Sequence, residues 1–340
     1  MRAIVYSQTG DTDVLSLVER PVPTPAAGEV LVRLQVAGVN PTDWRFRRGT
    51  GPGQPTPFPE VVPGQDGAGV VEALGDGVTD LAVGDRVWVY LAGWNRAQGT
   101  AEDYVALDRA RVVALPDSAS LELGAFLGVP VLTAHACLTA AQDGPKRLSP
   151  GALAGRVVLV AGGAGAVGNA AIQLAHWAGA TVITTVSSPE KAELARRAGA
   201  DHVVNYREQD AATAIRAIAP EGVHVIVEVA PTTNAALDVA VAAPHAVVSI
   251  YANEANPDMT LTVRPNMIVN LTYRFLMLYN VTAAERENAV AATIDAVAAG
   301  AIAVGQEAGM PLHRYPLEQT AAAHAAVESG VVGKVLLDLV

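Results

Sequence analysis

Residues 155–180, GRVVLVAGGAGAVGNAAIQLAHWAGA, constrain the fold more than any other stretch. Arg156–Ala161 is a short run of Val, Leu and Ala, which reads as a strand buried in a parallel sheet, not as an alternating surface strand. A helical apolar pattern follows at Ala171, Leu174, Ala175 and Ala178, and Gly163-x-Gly165-x-x-Gly168 stands between the two. Glycines there permit a tight turn and let the backbone approach a pyrophosphate, whose charge then rests on the helix N-terminus. Gly163, Gly165, Ala166, Val167 and Gly168 are therefore the expected pyrophosphate-binding residues. Glycine-rich turns also occur without a nucleotide. The order strand, turn, helix is what favours a dinucleotide.

The next strand, Thr181–Val186, should end in a residue that reads the ribose. It is followed by Ser187, Ser188, Pro189, Glu190 and Lys191, with no acid at the strand tip. An acid would bind the ribose 2′-hydroxyl and repel a 2′-phosphate, whereas two hydroxyls and an ammonium suit the phosphate. NADP(H) is thus expected over NAD(H). The same residues also read as a helix start, with Ser188 as N-cap and Pro189 in the first turn, and Glu190 is the one candidate for the acid's role.

At 340 residues, with 51% hydrophobic and 17% charged residues, the chain is a globular protein of two domains. The formal charge of −11 argues against nucleic acid as a main partner. No apolar run is long enough to span a bilayer, and the N-terminus, MRAIVYSQTG, reads as strand and turn and not as a signal peptide, so a cytoplasmic location is expected. The single cysteine, Cys137, lies in an apolar helical pattern and reads as a buried, inert thiol.

Up to about Gly128 the chain is rich in short strands, Gly and Pro. Expected strands are Ala3–Tyr6, Val30–Val39, Val70–Leu74, Arg86–Leu91, Glu102–Ala106 and Val112–Ala114, a barrel-like set. Thr50–Pro63 is a proline-rich loop, ordered by what it covers. From Pro130 helices and strands alternate, with strands at Val157–Ala161, Thr181–Val186, His202–Asn205, Val223–Val229, Ala246–Tyr251 and Ile268–Leu276, which predicts a doubly wound parallel sheet. After Thr282 a capped helix, a second helix at Ala321–Glu328 and a strand at Lys334–Leu339 complete the chain.

Four segments together resemble the medium-chain dehydrogenase/reductase superfamily in its zinc-independent quinone oxidoreductase branch, which includes zeta-crystallin. They are AGVNPTDWRFRRG (37–49), VPGQDGAGVVEALGDGVTDLAVGDRVW (62–88), AGGAGAVGNAAIQLAHWAGATVITTVSSPEKAELARRAGADHVVNYRE (161–208) and YPLEQTAAAHAAVESGVVGKVLLDL (315–339). The resemblance implies an α/β protein: a GroES-like, β-rich catalytic domain, discontinuous over residues 1–128 and 283–340, and a Rossmann domain over 129–282, with the active site in the cleft between them. It implies a homodimer in which the Ile268–Leu276 strand pairs across the two-fold axis.

Zinc enzymes of this superfamily carry Cys and a Gly-His-Glu motif where this chain has Asn40 and Gly64-Gln65-Asp66. Amides are poor zinc ligands, so no metal is expected. By resemblance, Asn40 lies beside the nicotinamide and hydrogen-bonds the substrate carbonyl, although an Asn before Pro41 also suits a plain turn. Asp43 would orient this segment, not transfer protons. Trp44 and Phe46 would wall a flat ring or belong to the core. Thr133 would lie near the nicotinamide and Tyr206 near the adenosine phosphate. Val229, Ala230, Ile250 and Tyr251 follow parallel strands at the ligand-binding edge, with Tyr251 narrowing the pocket. Lys334 would either reach the cofactor or be a solvated surface lysine.

The activity implied is NADPH-dependent hydride transfer to a quinone, or to the β-carbon of an enone. Both acceptors are already electrophilic and need no Lewis acid. A non-catalytic, NADPH-binding crystallin-like role is the alternative of another class.

Overall fold

The computed structural model describes residues 1–253 and 258–339. Two compact units emerge, residues 1–129 with 312–340 and residues 130–311. Along the first come strands β1 (Arg2–Val5), β2 (Ser16–Glu19) and β3 (Glu29–Val39), helix α1 (Pro41–Arg48), strands β4 (Asp66–Leu74), β5 (Arg86–Val89), β6 (Tyr104–Asp108) and β7 (Val112–Ala114), and the short α2 (Leu121–Gly124). The second unit contains α3 (Leu132–Leu138), β8 (Val157–Ala161), α4 (Ala166–Trp177), β9 (Thr181–Val186), α5 (Pro189–Arg197), β10 (His202–Asn205), α6 (Ala211–Ile218), β11 (Val223–Glu228), α7 (Pro231–Val241), β12 (Ala242–Ile250), α8 (Val263–Val269), β13 (Thr272–Phe275) and α9 (Ala283–Ala298). The chain then returns to the first unit with β14 (Leu312–Pro316), α10 (Thr320–Glu328) and β15 (Lys334–Asp338).

In the first unit β3 is the hub. It pairs antiparallel with β4, β6 and β15, in a seven-stranded sheet ordered β14-β15-β3-β4-β5-β7 with β6 on β3. Its long run EVLVRLQVAGV buries almost every residue because it has neighbours on both sides. The core is small and aliphatic: Val30, Val32, Leu34, Val71, Val87, Val105, Leu107 and Leu337. The 50–63 segment is held by isolated bridges, Tyr6 to Val61 and Gln8 to Pro55.

The second unit is a six-stranded sheet ordered β10-β9-β8-β11-β12-β13, parallel throughout. From β8 the chain winds outward through β9 and β10, then returns to lay β11, β12 and β13 on the other side. The order reverses between β8 and β11, where such sheets open a crevice at their carboxyl ends.

Three expectations are corrected. The Ile268–Leu276 strand splits: Ile268 and Val269 finish helix α8, Asn270 ends it in the left-handed conformation (φ 49°), and only Thr272–Phe275 is strand. An apolar run alone does not reveal that cap. Residues 283–311 belong to the second unit, not the first, because α9 turns Ala289, Ala292, Thr293 and Ala296 inward and packs on α3. Strands β2 and β14 were not foreseen; neither contains a clear apolar run. The start of α9 follows its sequence, with Thr282 and Glu285 forming a reciprocal capping box.

Candidate active site

The first unit buries an ionic cluster at the junction of β3, α1, β4 and β15. Asp66, at the start of β4, is fully buried. It accepts from Asn40 Nδ2 (2.7 Å) and Val129 N (2.9 Å), and Lys334 Nζ stands 3.9 Å away. Lys334 donates to Val39 O (3.2 Å) and Asn40 Oδ1 (2.8 Å). Asp43, in the first turn of α1, accepts Asn40 N–H at Oδ2 (2.7 Å), and its Oδ1 has no partner.

Two glycines let the backbone close over this cluster. A Cβ on Gly128 would fall 2.0 Å from Asp66 Oδ1, and one on Gly38 would fall 2.2 Å from Ala125 O and 2.9 Å from Lys334 Cε. The arrangement corrects two readings. Lys334 is only 1% exposed and not a solvated surface lysine, because carboxylate, amide and carbonyl partners offset its desolvation. The Asn40 amide is already bonded at both ends inside the protein and is more than a turn residue.

Burial pushes the Asp43 carboxyl up to about 7, with the Asn40 N–H opposing and the Asp66 charge adding to the rise. Burial likewise raises Asp66, to about 6, against the pull of Lys334, Asn40 and Val129. Lys334 is lowered by burial and held up by Asp66 and Asp43.

Asp43 also lies in the wall of a cavity of about 310 Å³ that belongs wholly to this unit. Tyr6, Phe46, Phe58 and Trp94 supply aromatic walls, with the Phe46 and Trp94 rings stacked at 6.0 Å. Pro57, Val61, Val62 and Pro63 form one side, so the proline-rich loop is ordered over an apolar space. Gln65 lines it too, with its buried Oε1 unpartnered. Phe46 lines the cavity, and Trp44 is not among the lining residues. Sequence reasoning missed Asp66, Gln65, Phe58 and Trp94. The Gly64-Gln65-Asp66 triplet was noticed only for the ligands it lacks.

In the second unit the expected cofactor residues gather along the carboxyl edge of the sheet. Gly162 makes the turn after β8 at φ 69°. A Cβ on Gly163 would strike Thr184 Oγ1 at 2.1 Å, and one on Gly168 would strike Gly162 O at 2.4 Å, so both positions demand glycine for close packing. At Gly165, the N-cap of α4, a Cβ would meet nothing nearer than 3.4 Å, which leaves that side open. Ala166 and Val167 begin α4 beside it.

Ser187 and Ser188 follow β9, Tyr206 follows β10, Val229 and Ala230 follow β11, and Ile250 and Tyr251 end β12. Lys191 Nζ donates to Ser187 Oγ at 3.0 Å, and Ser188 Oγ caps α5 by accepting Lys191 N–H at 3.3 Å. The helix-start reading of this segment holds, with Ser188 as N-cap and Pro189 in the first turn. Glu190 is exposed in the first turn of α5. Tyr206 is half exposed, whereas Thr133 on α3 is buried. Tyr251 donates its N–H to Glu228 O, and burial raises its phenol. Cys137 is buried, with its thiol pushed up to about 12, as an inert thiol requires.

A mainly antiparallel β unit interrupted by a parallel, dinucleotide-type unit defines the medium-chain dehydrogenase/reductase class. Residues 26–117 match the family described as the alcohol dehydrogenase GroES-like domain, and residues 166–296 match that described as zinc-binding dehydrogenase. The quinone oxidoreductase of Lama guanicoe is 33% identical, over 99% of this chain and 97% of its own length. Among solved structures, the Escherichia coli quinone oxidoreductase complexed with NADPH is similar with a TM-score of 0.80 at 26% identity, covering 99% of this chain and 100% of that one. An NAD-dependent alcohol dehydrogenase is similar with a TM-score of 0.85 at 28% identity, covering 100% of each chain. The chain belongs to the quinone oxidoreductase family of the medium-chain dehydrogenases/reductases.

The cluster makes a stability prediction. Lys334→Met leaves Asp43 and Asp66 buried without their cation, at an expected cost of about 3–5 kcal/mol near pH 8. Because both carboxyls are raised, they take up protons as the pH falls, so the cost should shrink by pH 5. Denaturant unfolding at the two pH values checks this, and an equal loss at both would contradict it.

Proposed function

We propose that this protein is an NADPH-dependent reductase that passes a hydride to a quinone without zinc. The observation that carries the reading is the cavity of the first unit, about 310 Å³ and walled by Tyr6, Phe46, Phe58 and Trp94. A flat ring fits stacked aromatic walls, and a space of this size takes a small quinone. The residues near it do not fit zinc: Asn40 is bonded to Asp66 and Lys334, Gln65 offers an amide, and an ammonium already neighbours Asp66. Among the described residues no three His, Cys, Asp or Glu side chains converge as metal ligands.

The second unit holds the dinucleotide in this reading. Gly163, Gly165, Ala166, Val167 and Gly168 take the pyrophosphate, and Ser187, Ser188 and Lys191 take the 2′-phosphate. Tyr206 lies against the adenosine end, and Thr133, Val229, Ala230, Ile250 and Tyr251 line the nicotinamide end. When bound, the cofactor supplies the hydride. The Ser187–Lys191 pair is the support for NADPH over NADH, and the NADPH complex of the Escherichia coli relative agrees with it. In the first unit, Asn40 and Lys334 set the position and charge of Asp43.

We also place a second copy of the chain on the edge of the parallel sheet. There Val263, Met267, Ile268 and Phe275 are strongly exposed beside β13, which pairs on one side only among the described strands. The protein should sediment as a dimer of two 35.0 kDa chains, and Phe275→Glu should release monomers. A monomeric wild type would refute this. The reading includes a cytoplasmic location, and no helix among the described residues is long and apolar enough to cross a membrane.

The test is NADPH oxidation by EDTA-treated protein, with 1,4-benzoquinone and a simple enone in parallel. Faster loss with benzoquinone is expected, with NADPH favoured over NADH. A faster enone reaction would reassign the acceptor, and binding without turnover would refute the enzyme. Lys191→Ala should weaken NADPH by about 1.5–3 kcal/mol, roughly 10- to 150-fold, and leave NADH unchanged. Equal loss for both would show that the phosphate site lies elsewhere.

A further inference from the structure

Two buried carboxyls, Asp43 and Asp66, share one buried ammonium, Lys334. A dry interior does not tolerate the leftover negative charge, so one carboxyl must hold a proton. The hydrogen bonds decide which. Asp66 takes a donor from Asn40 Nδ2, another from Val129 N and the nearer Lys334 charge. Asp43 takes one donor, Asn40 N–H, and its second oxygen has none. An ionised Asp43 would leave Oδ1 as a buried anionic oxygen without a donor. A neutral Asp43 makes Oδ1 itself the donor, and the residue stands in the wall of the aromatic cavity.

We propose that Asp43 is the catalytic acid of this site, delivering the proton that completes reduction of a carbonyl acceptor held in the cavity. The proposal rests on the reductase reading above. The acceptor gains a hydride, two electrons and one proton, from the reduced dinucleotide. Its carbonyl oxygen gains the second proton as the Asp43 O–H bond breaks. A quinone thus leaves as hydroquinone, and the Asp43 carboxylate is protonated again from water. Gln65 Oε1 is the other unpartnered buried oxygen of the wall.

Burial and Asp66 on β4 raise the acid's titration, and the Asn40 N–H and Lys334 on β15 lower it, while Tyr6 after β1 feels the charges of both Asp43 and Arg47. Their combined effect leaves Asp43 titrating at about 7, close to the pH at which a general acid works best. The acid acts in its protonated form, so turnover should fall as the pH rises through that value.

The experiment compares wild type with Asp43→Asn, which keeps an oxygen for the Asn40 N–H. With 1,4-benzoquinone, wild-type kcat should fall about tenfold per pH unit above its break and show a solvent deuterium isotope effect. The variant should lose about 100-fold in kcat, with a flat profile and no isotope effect. NADPH binding, followed by cofactor fluorescence, should be unchanged. Melting supplies a readout without turnover. Because native Asp43 holds its proton longer than unfolded Asp, wild type should lose melting temperature between about pH 5 and 8, and the variant should lose less. An unchanged pH profile in the variant, or no wild-type break near neutrality, overturns the proposal. If the variant does not fold, the wild-type profile and isotope effect alone decide. A wild type that turns over no acceptor refutes the reductase reading instead, and the melting slopes still test the neutral carboxyl.

Discussion

The charge count of the cluster around Asn40, two carboxylates to one ammonium, governs much of what surrounds it. Asn40 is pinned because its amide is the one group that can serve Asp66 and Lys334 together, donating to the first and accepting from the second. Pinning Asn40 fixes the start of α1, since its N–H is also the donor that holds Asp43. Gly38 and Gly128 follow from the same constraint, because any side chain there would push against Lys334 or Asp66. The cavity inherits its single carboxyl from this arrangement.

The second unit depends on a simpler constraint, the parallel sheet. Every strand ends at the same edge, so residues distant in sequence are gathered there by topology alone. The glycines divide the labour at the first turn. Gly163 and Gly168 permit close packing of strand and helix, and Gly165 leaves the helix N-terminus unobstructed. Lys191 is anchored by Ser187 and its helix is capped by Ser188, so an ammonium stands near the strand tip where an acid would otherwise read the ribose.

Much of the fold was legible because buried parallel strands are continuous apolar runs. Val157–Ala161, Thr181–Val186 and His202–Asn205 appear with the expected bounds. Edge elements were less legible. The β13 region has the same apolar residues as a core strand, but Asn270 in a left-handed conformation ends a helix in the middle of it. The last domain boundary shifted because an alanine-rich helix does not disclose which neighbour it packs against. At the candidate site, Asn40, Asp43 and Phe46 could be singled out because they lie in a segment, 37–49, that resembles the family. Asp66 and Lys334 are 268 positions apart, and only the pairing of β15 with β3 and of β3 with β4 brings them to one place. Lys334 also illustrates a general limit: sequence shows a charge and not whether partners exist to let it be buried.

The most direct measurement of the central claim is a carbon-13 NMR titration of protein labelled at the aspartate carboxyl carbon, with Asp43→Asn supplying the assignment. The account predicts that the aspartate signal missing from the variant titrates near neutrality, at about 7, above that of Asp66 at about 6. If every aspartate has ionised by about pH 5, as unperturbed carboxyls do, Asp43 carries no proton at working pH and the charge argument for this site is wrong.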